Sequence, residues 1–117
     1  MNKYINGYIY VIKCNVTKQL YIGSSCIPKE LRLMKHLTDF KSHVGINKKF
    51  RPYRSSFEVL YSGDYEMIEI EKYPCNSKQE LEIRETLWIE KYRDKIVNKR
   101  LPVNINNILV LDPNLFS

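Results

Sequence analysis

The sequence predicts an α+β fold, three strands and two main helices sharing one core. Three observations carry that reading. Residues 8–14 and 20–23 alternate with a period of two around a polar break, and residues 65–73 alternate again. Residues 28–40 and 77–92 carry helix-start signals followed by helical spacing. A chain of 117 residues is long enough to bury one core, and 44% hydrophobic residues is ordinary for a globular domain.

The first element is a hairpin. Tyr8, Tyr10, Ile12 and Cys14 alternate with Ile9, Val11 and Lys13. Asn15-Val16-Thr17-Lys18 breaks the pattern, and Leu20-Tyr21-Ile22-Gly23 resumes it. Tyr10 and Tyr21 share a face when paired residue numbers sum to 31 or 33. A sum of 31 puts Val16 in a two-residue turn, where a β-branched residue resists positive φ. The register summing to 33 leaves a four-residue loop and sets the tyrosines diagonally adjacent, and it is preferred.

Pro28 suits the first turn of a helix running to about Phe40. Leu31, Met34, Leu37 and Phe40 are expected as its buried stripe, with Arg32 and His36 on another face. Residues 41–54 read as a basic loop around Gly45 and Pro52. Ser55 to Leu60 fits either a strand or something irregular. Gly63-Asp64 marks a turn into the third strand, which Pro74 ends. Ser77-Lys78-Gln79-Glu80 is a capping box that opens a helix to about Tyr92. Glu85 falls inside that helix's apolar arc, among Leu81, Trp88, Ile89 and Tyr92. A carboxylate there needs a cationic partner or a metal. The sequence divides into a domain over 1–103 and an arm over 104–117.

Charge is concentrated. The net charge is +6, and residues 24–54 hold eight Lys or Arg against two acids, while residues 55–97 are acidic. His36, His43, Phe50 and Tyr53 lie in the basic stretch, a pattern that suits either a polyanion-binding surface or a solvated basic one. Cys14, Cys26 and Cys75 lack C-x-x-C spacing, which argues against a structural zinc site and for a reducing compartment. No apolar run reaches the ~18 residues of a membrane span and no leader pattern opens the chain, so an intracellular, cytoplasmic or nuclear location without membrane contact is expected.

Five short motifs now stand in order: Tyr8-Ile9-Tyr10, Tyr21-Ile22-Gly23, Leu31-Arg32-Leu33-x-x-His36, Arg84-Glu85-Thr86-Leu87-Trp88-Ile89 and Asn98-Lys99-Arg100-x-Pro102. In that order they resemble the GIY-YIG endonuclease family over residues 7–102, with Tyr8 replacing the usual first glycine. The resemblance implies a three-stranded antiparallel sheet flanked by helices. It also implies divalent-metal-dependent hydrolysis of DNA phosphodiesters, with Mg²⁺ or Mn²⁺ as cofactor. By motif match the catalytic set is Tyr10, Tyr21, Arg32, His36, Glu85 and Asn98. By the same resemblance Glu85 would be the single metal ligand, Arg32 would clamp the phosphate, a tyrosine would handle the water, and His36 and Asn98 would support the site. Which tyrosine acts stays open, as does whether it is a base or only orients the water.

The residue types suit that chemistry independently, since a hard cation accepts a carboxylate and Arg is a permanent phosphate fork. Lys35, Lys41, His43, Lys48, Lys49, Arg51 and Arg54 are the expected DNA contacts. The alternative is a nucleic-acid-binding module with little or no activity. With no zinc-finger spacing or helix-turn-helix pair in the sequence, specificity is expected to be weak, to come from a separate recognition protein or domain, or to use the 41–54 loop.

Overall fold

The computed structural model describes residues 2–44, 55–98 and 102. The order is a 3-10 turn at Lys3–Asn6, strands β1 (Tyr8–Cys14) and β2 (Leu20–Ser25), helices α1 (Lys29–His43) and α2 (Phe57–Leu60), strand β3 (Tyr65–Lys72), helix α3 (Lys78–Lys91) and a 3-10 turn at Arg93–Lys95. The sheet is antiparallel with β1 in the centre, in the order β2-β1-β3.

The hairpin takes the register that sums to 33: Tyr8 faces Ser25, Tyr10 faces Gly23 and Ile12 faces Tyr21. The loop is residues 15–18, and its last residue, Lys18, turns the chain with φ of 65°. Alternation along β1 feeds two cores, one on each side of the sheet. Tyr8, Tyr10, Ile12 and Cys14 pack with Phe57, Val59, Leu60 and Met67 on the α1/α2 side. Ile9, Val11 and Ile22 pack with Leu81, Ile89 and Cys75 on the α3 side.

Helix α1 departs from the expected stripe. Leu31 and Met34 are 49% and 60% exposed, whereas His36 is only 5% exposed. Leu37 and Phe40 pack against the core as expected, and Leu33 joins them in place of Leu31 and Met34. Three successive steps of three residues rotate a stripe by half a turn, so 31-34-37-40 cannot stay on one face. The inward arc therefore takes in His36, whose polar ring finds a partner. The helix also runs through Lys41 and His43, which the sequence reading gave to a loop, and residues 57–60 form a turn of helix, not a strand.

Helix α3 starts where the capping box places it. The Ser77 side chain accepts from Glu80 N at 3.2 Å, and Glu80 Oε2 accepts from Asn76 N at 2.6 Å. Arg84 donates twice to the Glu71 carboxylate of β3, at 2.5 and 2.6 Å, and Trp88 Nε1 adds a third bond at 3.2 Å. This fork holds Glu71 below the usual carboxylate range and fixes the rotation of α3 about its axis. With Arg84 gripping β3, the next residue, Glu85, turns toward β2. Beyond the helix, Ile96 bridges Leu20 in parallel fashion and Val97 N donates to Leu20 O at 2.8 Å, so the chain lines the free edge of β2. The expected arm, 104–117, lies outside the described residues.

Candidate active site

The edge strand β2 separates the elements that build the site. Its residues alternate: Tyr21 and Gly23 share the α1 side with Tyr10, while Ile22 and Ser24 share the α3 side. Near Gly23 a cleft of about 450 Å³ opens, and Tyr10, Tyr21, Gly23, Ser24, Arg32 and Glu85 all line it. Both sides of the sheet thus contribute to one concavity.

On the α1 side, Tyr10 is the hub. Its ring lies directly over Gly23, where an added Cβ would come within 2.4 Å of the phenol. Only glycine lets the ring lie there. Its hydroxyl is 2.6 Å from His36 Nε2 and accepts from Arg32 Nε at 3.2 Å. Burial first, and then the neighbouring Tyr21 phenol, push the Tyr10 pKa well above the ordinary phenol value despite Arg32. The proton therefore stays on Tyr10, whose oxygen accepts from Arg32 and shares a hydrogen bond with His36 Nε2. Tyr21 is partly exposed, its ring centre 6.5 Å from Tyr10 and 5.6 Å from His36. Burial opposes the Arg32 charge, but Tyr10, Tyr21 and Glu85 outweigh it and raise its pKa further.

On the α3 side, Glu85 accepts from the Ser24 hydroxyl. Burial is the main influence on its carboxyl, and the pKa is pushed up to about 7 even though Ser24 and Arg32 pull it down. No arginine pairs with it: among the described residues no Lys or Arg nitrogen lies within 4 Å. Ser24 was not among the sequence candidates, although the alternation of β2 already put it on the α3 side.

The remaining described candidates, Lys35 excepted, lie apart from the cleft lining. His36 stands behind Tyr10 and Tyr21 and does not itself line the cleft. The Asn98 amide is spent on β2, accepting from Ile22 N at 2.9 Å and donating to Ile22 O at 2.7 Å, as an extra ladder partner would. Lys35 lines the cleft, while Lys41 and His43 lie further along α1, where the His43 ring stacks 5.0 Å from Phe57. Lys48, Lys49, Arg51 and Arg54 fall outside the described residues. Tyr8, in the place of the first motif glycine, does not enter the cleft. It is buried on the α1 side with its hydroxyl donating to Ile27 O at 2.6 Å. The preceding Gly7 makes the close backbone approach instead, since a Cβ there would come within 2.7 Å of Tyr73 O.

A phenol-arginine cluster and a desolvated carboxylate thus meet in one cleft. Residues 6–100 match the family model described as the GIY-YIG catalytic domain. The chain belongs to that family and is a DNA endonuclease. Among solved structures it is similar to the catalytic domain of the homing endonuclease I-TevI, with a TM-score of 0.60 and 19% identity over 80% of this chain and 98% of that one. That likeness carries the same fold: the three-stranded antiparallel sheet with helices. No curated protein matches the chain. No helix among the described residues is long and apolar enough to cross a membrane.

Proposed function

We propose that this domain hydrolyses DNA phosphodiesters with a divalent cation held by Glu85, a phosphate clamp from Arg32 and a water positioned by Tyr21. The observation that carries this reading is that Arg32 and Glu85 meet in one cleft without pairing to each other. A cation and an anion kept apart in a desolvated concavity suit a ligand that brings both a negative phosphate and a metal.

The donor set fits a hard ion of the Mg²⁺ or Mn²⁺ kind, which keeps several waters and takes one carboxylate plus phosphate oxygens. It does not fit an all-protein cage, since no three His, Cys, Asp or Glu side chains converge among the described residues. A cation bound at Glu85 supplies Lewis-acid stabilisation of the phosphate and the leaving oxygen. Ser24 orients the carboxylate from below. Arg32 neutralises the developing phosphate charge, its side chain steadied by the bond to Tyr10. Tyr10 is fully buried and its hydroxyl is occupied by two partners, so it serves as a positioning residue with His36. Tyr21, partly exposed at the same wall, is the phenol that a cleft water can reach. Asn98 holds the edge of β2, and with it Gly23 and Ser24, in place. Lys35 contacts the DNA backbone beside Arg32, Lys41 and His43 lie further along the same helix, and Lys48, Lys49, Arg51 and Arg54 of the basic sequence segment are further DNA contacts in this reading.

The test is cleavage of duplex, single-stranded, flap and junction DNA with Mg²⁺ or Mn²⁺. Glu85→Ala and Arg32→Ala are each expected to lower the rate by about 10²–10³ or more with the circular dichroism spectrum unchanged. Undiminished cleavage by both folded variants would remove this assignment. Tyr21→Phe is expected to cost more catalysis and less stability than Tyr10→Phe.

A further inference from the structure

The cleft has a second basic corner that neither the motifs nor the basic segment accounts for. Besides Arg32 and Lys35, the cationic side chains lining it are Lys3, from the N-terminal 3-10 turn, and Lys78, from the first turn of α3. Tyr4 lies with them, its ring centre 5.3 Å from Lys3 Nζ. These two elements are far apart in sequence but stapled together. Asn2 Nδ2 donates to Cys75 O at 2.9 Å, Cys75 N donates to Tyr4 O at 3.0 Å, and Tyr73 N donates to Gly7 O at 2.8 Å. The corner is therefore a fixed part of the cleft wall.

We propose that Lys3 and Lys78, with the Tyr4 ring beside them, form a second phosphate-binding station that grips the DNA backbone at a phosphate beyond the one cut at Glu85. The proposal rests on the endonuclease reading and adds where the substrate strand runs. The spacing follows from the helix. Lys78, Glu82 and Glu85 are four and three residues apart and share the cleft-lining face. Seven residues of α3 advance about 10 Å along the axis. That reach exceeds the size of one phosphate group, so the station holds a different phosphate from the one at Arg32 and Glu85. Lys78 is available for this contact. Its side chain is 75% exposed, and the Glu82 carboxylate lies at a loose 3.6 Å. Such exposed helical pairs are weak and yield to a phosphate.

The test is a salt titration of duplex DNA binding without divalent metal, comparing the parent with Lys3→Gln/Lys78→Gln. Each lost phosphate contact removes about 0.9 from the slope of log K against log salt, so the double variant is expected to lose nearly two. Affinity at 0.1 M salt is expected to fall roughly tenfold or more, and in the cleavage assay the loss is expected in KM more than in kcat. Lys72→Gln/Lys95→Gln, on exposed lysines outside the cleft, should leave the slope unchanged. An unchanged slope in Lys3→Gln/Lys78→Gln, with a parent that binds and cuts DNA, overturns the station alone. Lys78→Gln/Glu82→Gln separates contact from masking: the loss persists if Lys78 touches phosphate, and full recovery of affinity overturns the proposal by showing that Lys78 only neutralised Glu82. A parent that neither binds nor cuts DNA removes the endonuclease reading, and this station with it.

Discussion

The two sides of the sheet meet in the same cleft with opposite preparation. On the α1 side Tyr10, Arg32 and His36 are already bonded to one another through one oxygen, and that oxygen is shielded from solvent. On the α3 side a single carboxylate is held by a serine hydroxyl and burial strains its ionised form. The first half is finished before substrate arrives. The second half is left electrostatically incomplete and would be completed by a cation. The contrast matches the roles proposed for the two sides. A phosphate clamp gains from being preorganised, because reorganisation during reaction is avoided. A metal ligand gains from being hard to satisfy from within the protein, since an arginine partner would compete with the ion. Arg84 makes the point by position: one residue before Glu85, it spends its charge on Glu71 and so stays out of the cleft.

The largest effect that would break this contrast is in the pH dependence of stability without metal. Glu85 keeps its proton in the fold up to about pH 7, against a reference carboxyl of 4.5. Below both values the group is protonated folded or unfolded and its favourable contribution is fully present. Between them the unfolded chain gives up its proton first, so stability falls as pH rises from about 4.5 to 7 and then levels off. Allowing for its partial exposure, the decline is on the order of 2–3 kcal/mol. Glu85→Gln is expected to remove that decline, read as the difference between parent and variant in urea melts across pH. Added Mg²⁺ or Mn²⁺ should restore stability to the parent above pH 7 and not to the variant. A parent and variant with parallel pH profiles would mean that Glu85 is no more strained than a surface carboxylate.

Gly23→Ala comes next and strikes the preorganised side. The added methyl would collide with the Tyr10 ring, and that ring cannot retreat without releasing Arg32 and His36. Overpacking of this kind costs about 1–3 kcal/mol. The expected outcome is a lowered Tm together with cleavage impaired like that of Tyr10→Phe, while the Glu85-dependent pH profile is retained. Loss of the pH profile in Gly23→Ala would show that the two sides are not separable.

How much of this was readable in the sequence differs between the sides for a physical reason. The hairpin register followed from turn chemistry, because β-branched Val16 rules out the tighter loop, and alternation then put Tyr10 and Tyr21 together. Glu85 stood out because a carboxylate on an apolar arc is costly wherever it occurs. Helix α1 was harder. It carries apolar residues on two arcs, and what selects the inward one is the fit of His36 to a phenol on a strand far from it in sequence. The Ser24–Glu85 bond and the Lys3/Lys78 corner were out of reach for the same reason, although alternation already put Ser24 on the α3 side. Each is a contact between distant elements, set by how α3 is rotated, and that rotation depends on the Arg84–Glu71 fork.

The smallest of these effects concerns Tyr8, and it sharpens the comparison most finely. A tyrosine where the family pattern has glycine could have obstructed the cleft. Instead its ring packs 6.1 Å from Tyr10 and its hydroxyl bonds Ile27 O, immediately before α1 begins. Ser25 Oγ accepts from Ile27 N at 3.2 Å, so the connection into α1 is pinned at both ends of one residue. Tyr8 is thus part of the preorganised side, setting the start of the helix that carries Arg32. Tyr8→Phe keeps the ring and deletes the bond. It is expected to cost about 1 kcal/mol of stability and a few-fold in cleavage, with Arg32 less well aimed and Glu85 untouched. Tyr8→Gly, which restores the motif residue, is expected to do worse than Tyr8→Phe in both assays, because it empties a filled part of the core where glycine has nothing to pack. Higher activity in Tyr8→Gly than in the parent would show the reverse: that the tyrosine narrows the path of the DNA and does not support Arg32.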